Sequence, residues 1–154
     1  MLSRIQSLYL LLAALLAFGS MTQPFWSFQA GQLILIGDFT QITGAGIIVN
    51  AETVAGGLFS PATGIASIAA IFSFKNRKMQ RNLIMLCYFL FAGDILSSLT
   101  AAHFLNQYLQ ATGAVVSYRP EAGFFMLLPE PVLFWLASLG VKKDEKIATA
   151  YKRL

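Results

Sequence analysis

The chain is expected to be an all-α membrane protein: a single-domain, four-helix bundle over residues 1–154, carrying a small extracytoplasmic β element from its helix 1–2 and helix 3–4 loops. Three observations carry that expectation. Of 154 residues, 56% are hydrophobic and only 12% are charged, about half the ~25% charge of a soluble domain. Charge is also absent from whole stretches: Ile5 to Gly37 and Thr53 to Phe74 contain no Asp, Glu, Lys or Arg. Runs of that length read as spans rather than core helices. Finally, the basic residues are segregated. Arg4, Lys75, Arg77, Lys78, Arg81, Lys142, Lys143, Lys146, Lys152 and Arg153 fall on one side of the four-span arrangement and Arg119 alone on the other. Ten against one is a positive-inside pattern with both termini cytoplasmic.

The first span is expected at about 5–25, ending after Pro24 in the pair Phe25–Trp26. Arg4, the apolar run and Ala17-Phe18-Gly19 have the look of a cleavable signal. The run continues to spanning length, however, so the segment is expected to stay as a helix. The second span is expected at 54–74, closed by the cytoplasmic loop 75–81, which holds Lys75, Arg77, Lys78 and Arg81. The third is expected at 82–109, long enough to tilt or protrude. The fourth is expected at 124–141, followed by Lys142, Lys143 and a cytoplasmic tail over 142–154. In that tail Ile147, Ala148 and Tyr151 share one helical face, so helix 4 should continue as a short amphipathic extension.

Two connectors lie outside, at 26–53 and 110–122. Gln32 to Ile36 and Gly46 to Val49 are β-branched and glycine-bounded, as strands are, and Phe39 to Thr43 alternates apolar and polar residues. The segment Ala114 to Tyr118 is read as a further strand. Trp26, Tyr108 and Tyr118 suit an outer aromatic belt.

Several chemistries are excluded. One cysteine, Cys87, makes no internal disulfide, CxxC pair or cysteine zinc site, and one histidine, His103, cannot supply both axial ligands of a haem. No glycine-rich phosphate loop, nucleophile elbow or HExxH is present. No catalytic residue, metal or cofactor is therefore expected. The net charge of +4 is explained by orientation and by attraction to anionic headgroups rather than by nucleic acid.

The intramembrane polar candidates are Asp94, Glu130 and His103. Asp94 lies 13 residues beyond Arg81 and Glu130 lies 12 before Lys142, which puts both about 18–20 Å from the cytoplasmic edge. Carboxyls at that depth cost ~2.5–3.5 kcal/mol or more and are functional candidates by default, here as a proton-sharing pair. The structural alternative has Asp94 bonded to Ser97, Ser98 or backbone inside the bundle. In it Glu130, between Pro129 and Pro131, sits in a helix's first turn and reaches outer water. His103, at the outer interface, suits an interfacial polar role. Gly56, Ser60 and Gly64 at four-residue spacing form a helix-packing face, for this chain's own helices or for a partner subunit.

Three short motifs carry a family likeness. Arg4 to Ala13 (RIQSLYLLLA), Phe74 to Gln80 (FKNRKMQ) and Val141 to Ile147 (VKKDEKI) resemble the opening, the helix 2–3 turn and the closing segment of a family of small four-helix inner-membrane proteins of unknown function found in Bacteroidetes. That family usually closes on an Asp-Arg-Leu-Arg-like end, where this chain reads Tyr151-Lys152-Arg153-Leu154. The likeness implies an inner-membrane protein of a Gram-negative bacterium and supplies no catalytic residue.

Three functions compete. The first is a non-enzymatic accessory or scaffold subunit of an inner-membrane complex, with the lipid bilayer and other membrane subunits as partners. The second is a small proton-coupled transporter using Asp94 and Glu130. The third is a lipid- or quinone-acting membrane enzyme, for which Asp94, Glu130 and His103 are the only candidate acids.

Overall fold

The computed structural model describes residues 2–113 and 115–151. The expectations placed on Ala114, on the side chains of Arg4 and Tyr151, and on Lys152, Arg153 and Leu154 lie outside the described residues. Helix α1 (Leu2–Thr22) leads into strands β1 (Trp26–Ala30) and β2 (Gln32–Ile36). Helix α2 (Ile47–Phe72) turns through a 3-10 segment (Ser73–Lys75) into α3 (Arg77–Ala111). Strand β3 (Ser117–Pro120), the short α4 (Ala122–Leu127) and α5 (Glu130–Tyr151) complete the chain. Four stretches, Ile5–Thr22, Ile47–Lys75, Arg77–Ala111 and Ala122–Ala150, are helical, long and apolar enough to cross a membrane.

The helices pack in a ring in which α1 touches α2 and α5, and α3 touches α2 and α5. The α2–α3 turn is tight because Asn76 caps α3: its Oδ1 accepts from the Met79 N–H at 3.1 Å. Over one end of the ring lies an antiparallel sheet of order β2-β1-β3. Strands β1 and β2 join through Gly31, whose φ of +76° suits glycine alone. Strand β3 pairs Tyr118 with Phe28 and Arg119 with Ser27. The Glu121 N–H donates to the Phe25 carbonyl and the Gly123 N–H to the Pro24 carbonyl, both at 3.0 Å, which ties the start of α4 to the sheet. A Cβ on Gly123 would stand 2.8 Å from the Gln23 carbonyl oxygen, so only glycine fits that crossing.

Two apolar clusters form the interior. One, around Leu10, Ile84, Cys87, Phe134 and Val141, fills the end near the α2–α3 turn. The other, around Phe28, Ile36, Val49, Ala101 and Leu105, joins the helices to the sheet. Between them the buried residues are small and polar: Ser60, Thr63, Asp94, Ser97, Ser98 and Glu130. Many other large apolar side chains point outward, Leu15 being 60% and Phe89 71% exposed. A buried polar layer combined with so apolar a surface is unlike a water-soluble bundle.

The structure corrects several boundaries. The first helix stops at Thr22, because Pro24 breaks it and Phe25 turns to the sheet, donating its N–H to Ile36. Residues 46–49 are not a strand: Gly46 (φ +95°) ends the loop and Ile47 opens α2, well before the expected start at 54. The Phe39–Thr43 alternation forms a loop held down on α2, and β1, unforeseen as a strand, is the centre of the sheet. Strand β3 begins at Ser117, leaving Val115 and Val116 outside it. The turn expected over 75–81 shrinks to Asn76, since α3 starts at Arg77. The fourth span is two helices broken at Leu128–Pro129, and the second continues through the expected tail to Tyr151.

Candidate functional site

The site is assembled by the loop between β2 and α2. Its Phe39 N–H donates to the Thr53 carbonyl at 3.0 Å, Thr53 Oγ1 donates to the Thr40 carbonyl at 2.7 Å, and the Ile42 N–H donates to Asn50 Oδ1 at 2.9 Å. Phe39 takes a φ of +59°, rare for a bulky residue. Its ring covers Gly57, where a Cβ would lie 2.5 Å from the ring edge. These contacts drive the preceding residue, Asp38, into the bundle beside Gly56.

There Asp38 meets Asp94 of α3. Ser60 Oγ lies 2.9 Å from Asp38 Oδ2 and 2.7 Å from Asp94 Oδ2. The other two carboxyl oxygens converge over Gly56: a Cβ there would be 3.2 Å from Asp38 Oδ1 and 3.5 Å from Asp94 Oδ1. Ser98 Oγ stands 3.9 Å from the same point, and it is buried with no hydrogen-bond partner. A hydroxyl owns one proton, so Ser60 can donate to only one carboxylate. The second short contact is satisfied when that carboxyl is itself protonated and donates to the Ser60 lone pair. Burial pushes the Asp38 carboxyl above its ordinary range, and the Ser60 hydrogen bond opposes this in part. By contrast, Glu121 at the sheet is held below its ordinary range by a hydrogen bond from Ser27 and, beyond that, by Arg119, whose Nε lies 3.0 Å away.

Glu130 opens α5 and is 1% exposed, with its Oε1 unpartnered. It is not open to solvent, because α4 takes up the sheet-side end of the fourth apolar stretch and leaves Glu130 inside. It lies within electrostatic range of Asp94 and Cys87, while Cys87 Sγ contacts Ser67 Oγ at 3.5 Å. Asp94 is thus hydrogen-bonded to Ser60, with Asp38 as its carboxyl neighbour.

The other sequence-derived candidates are dispersed. His103 is exposed on α3, with its Nε2 3.1 Å from Gln107 Nε2. Gly56 faces the carboxyls and Gly64 faces the Phe18 ring of α1, so that row of small residues packs within the chain. At the α2–α3 turn Lys75 and Lys78 are exposed, as are Lys142 and Lys143 on α5. Arg77 Nη1 binds Asp144 Oδ2 at 3.0 Å, and Gln6 Nε2 donates to the same oxygen at 2.7 Å. Arg81 lies 3.4 Å from Glu145. Among the described residues, no group of three or more His, Cys, Asp and Glu side chains could hold a metal ion.

Sequence reasoning missed Asp38 altogether, and it considered Ser98 only as a partner for Asp94. The sequence offered no strong signal: Asp38 ends the longest uncharged run of the chain but lies in a connector, where a carboxylate ordinarily meets water.

Fold and site together define a helical protein with four apolar helices of spanning length, a three-stranded cap and a buried polar layer. The chain belongs to the family described as a domain of unknown function, DUF4293, whose model matches residues 2–154. Comparison with curated proteins and with solved structures finds no match.

Proposed function

We propose that the chain is a non-enzymatic integral protein of a bacterial inner membrane, of the kind found in Bacteroidetes. In this reading it crosses the bilayer four times, keeps both termini cytoplasmic, and serves as an accessory or scaffold subunit of a larger membrane complex. One observation carries the subunit role. Strand β2 is a sheet edge whose Leu33 and Leu35, 63% and 47% exposed, point away from the helices. Beside them Ser27, Gln29, Ser117 and Arg119 line a recess of about 250 Å³. An open, apolar edge strand is a ready template for another chain.

The test is mild detergent extraction of the tagged protein from native membranes, with and without Leu33→Lys and Leu35→Lys. A stoichiometric partner that is retained by the wild type and lost from the substituted protein, at equal abundance, is the expected result. A chain that extracts alone in both forms sinks the reading.

A small proton-coupled transporter is the second reading, favoured by the Asp38–Ser60–Asp94 chain with Glu130 nearby. Its test is proton-driven flux in vesicles, with Asp94→Asn as the inactive control.

A further inference from the structure

We infer that the cluster at Gly56 is a binding site for one exchangeable proton, shared by Asp38, Ser60 and Asp94, and that this proton latches the outer loop onto the helices. The inference concerns the site itself and holds whether or not the chain is a subunit.

Stoichiometry of hydrogen bonding is the first argument. Ser60 Oγ sits within 2.9 Å of an oxygen of each carboxyl, and one hydroxyl proton cannot serve both. With both carboxyls ionised, one of the two contacts sets a lone pair against a carboxylate. With one proton added, both become hydrogen bonds. Ser98 is the second argument, independent of the first. Its hydroxyl is buried, has no partner, and its oxygen stands 3.9 Å from the position a Cβ on Gly56 would take, over which Asp38 Oδ1 and Asp94 Oδ1 converge. It is an unused donor beside the pair, so the arrangement accommodates a single negative charge there.

The surroundings offer no other compensation. The groups facing the pair are Ser60 from α2, Ser98 from α3 and Glu130 from α5, with Cys87 deeper on α3. Among the described residues, no Lys, Arg or His contributes to the electrostatics of either carboxyl. Two like charges at this spacing, partly out of water, disfavour joint ionisation.

Position decides what the proton does. Asp94 is fixed in the middle of a long helix, whereas Asp38 belongs to the β2–α2 loop, which is held on α2 by a few hydrogen bonds and the Phe39 ring. The Asp38–Ser60 hydrogen bond joins that loop to the polar layer. Loss of the proton converts the bond into a repulsion between Asp38 and Asp94, which works against the contacts that hold the loop on α2.

The experiment uses the full chain in lipid nanodiscs. Infrared spectra recorded from about pH 5 to about pH 9, spanning the range well above an ordinary Asp, are read at the carboxylic C=O stretch. In parallel, a cysteine replacing Ala45, which is buried while the loop is closed, reports loop opening by its rate of maleimide labelling, corrected for thiolate content. The expected result is a carboxylic band that fades as pH rises, matched by faster labelling. Asp38→Asn, whose amide can donate to Ser60 without a titratable proton, should remove that fading component and make labelling independent of pH. A wild-type spectrum with no pH-dependent carboxylic band overturns the proposal without recourse to any variant. So does a band unchanged in both Asp38→Asn and Asp94→Asn. Replacing choline by sodium at fixed pH should change nothing; a sodium-dependent loss of the band would assign the site to a metal cation instead.

Discussion

Individual side chains in the polar layer are held by few and specific contacts, so single substitutions should act strongly. Asp144 is buried and accepts from both Gln6 and Arg77, joining α1, α3 and α5. Asp144→Ala leaves the Gln6 amide without its partner, and Gln6 Oε1 already has none. The expected cost is about 1–3 kcal/mol, seen as a lower midpoint of thermal unfolding in detergent. Gly123→Ala drives a Cβ into two backbone carbonyl oxygens, at 2.8 and 2.9 Å, that cannot rotate away. A loss of about 1–3 kcal/mol is expected, with the cap detached before the helices unfold. The pH dependence of the loop follows from Asp38, whose carboxyl is raised by burial. The folded state then holds a proton that the unfolded state has released. Stability from this group is therefore full below the ordinary Asp range and declines as pH rises through the raised value. Scanning calorimetry of the wild type should show that decline, and Asp38→Asn should flatten it.

At the scale of elements, the fourth span is the informative one. Its sheet-side part is α4, pinned to the Pro24–Phe25 backbone, and the rest is α5, which starts with Glu130 and continues past Val141. The extension beyond 141 is a working part of the bundle, since Asp144 and Glu145 meet Arg77 and Arg81 of α3. Truncation after Lys143 therefore removes the Asp144 anchor. Truncation after Ile147 keeps it. The first protein should unfold at a lower temperature than the second, while both still insert, and equal melting of the two would show the anchor to be dispensable. The sheet is equally integral. Phe28 is buried at its centre and packs on the Tyr118 ring at 6.1 Å between centroids. Phe28→Ala should cost about 3–5 kcal/mol, measured by denaturation in mixed detergent.

The whole molecule carries a layer of buried polar residues between two apolar clusters, while many of its Leu, Phe and Met side chains lie on the outside. This arrangement suits a hydrocarbon surround, in which large apolar side chains lose nothing by exposure and interior polar groups must find partners within the protein. The orientation proposed from the basic residues is open to direct measurement. Single cysteines placed near Gly44 and Gly113, in a background lacking Cys87, should label from outside in intact spheroplasts, and one near Asn76 should not. Labelling at Asn76 alone would reverse the orientation.

Much of this architecture was legible in the chain itself. Four apolar runs and the segregation of lysine and arginine are one-dimensional properties, because spanning length depends on consecutive residues and not on their neighbours in space. The Gln32–Ile36 strand was legible too, from its branched residues and bounding glycines. The helical start at Ile47 was not, since a short apolar run reads alike as strand or buried helix and length alone arbitrates. The carboxyl pair was legible only by half. Asp94 stands out because a charge inside an apolar run is anomalous wherever the chain folds. Asp38 carries no such mark, because a carboxylate in a connector ordinarily meets water. What places it against Asp94 is the loop's return over Gly56 and Gly57, a closure set by hydrogen bonds to Thr53 and Asn50 and by the Phe39 ring. Sequence spacing alone determined the depth of the helical residues along their own axes. Which carboxyl faces which was decided by tertiary packing, because contact between segments depends on how the loop folds back, and no periodicity in the chain encodes that.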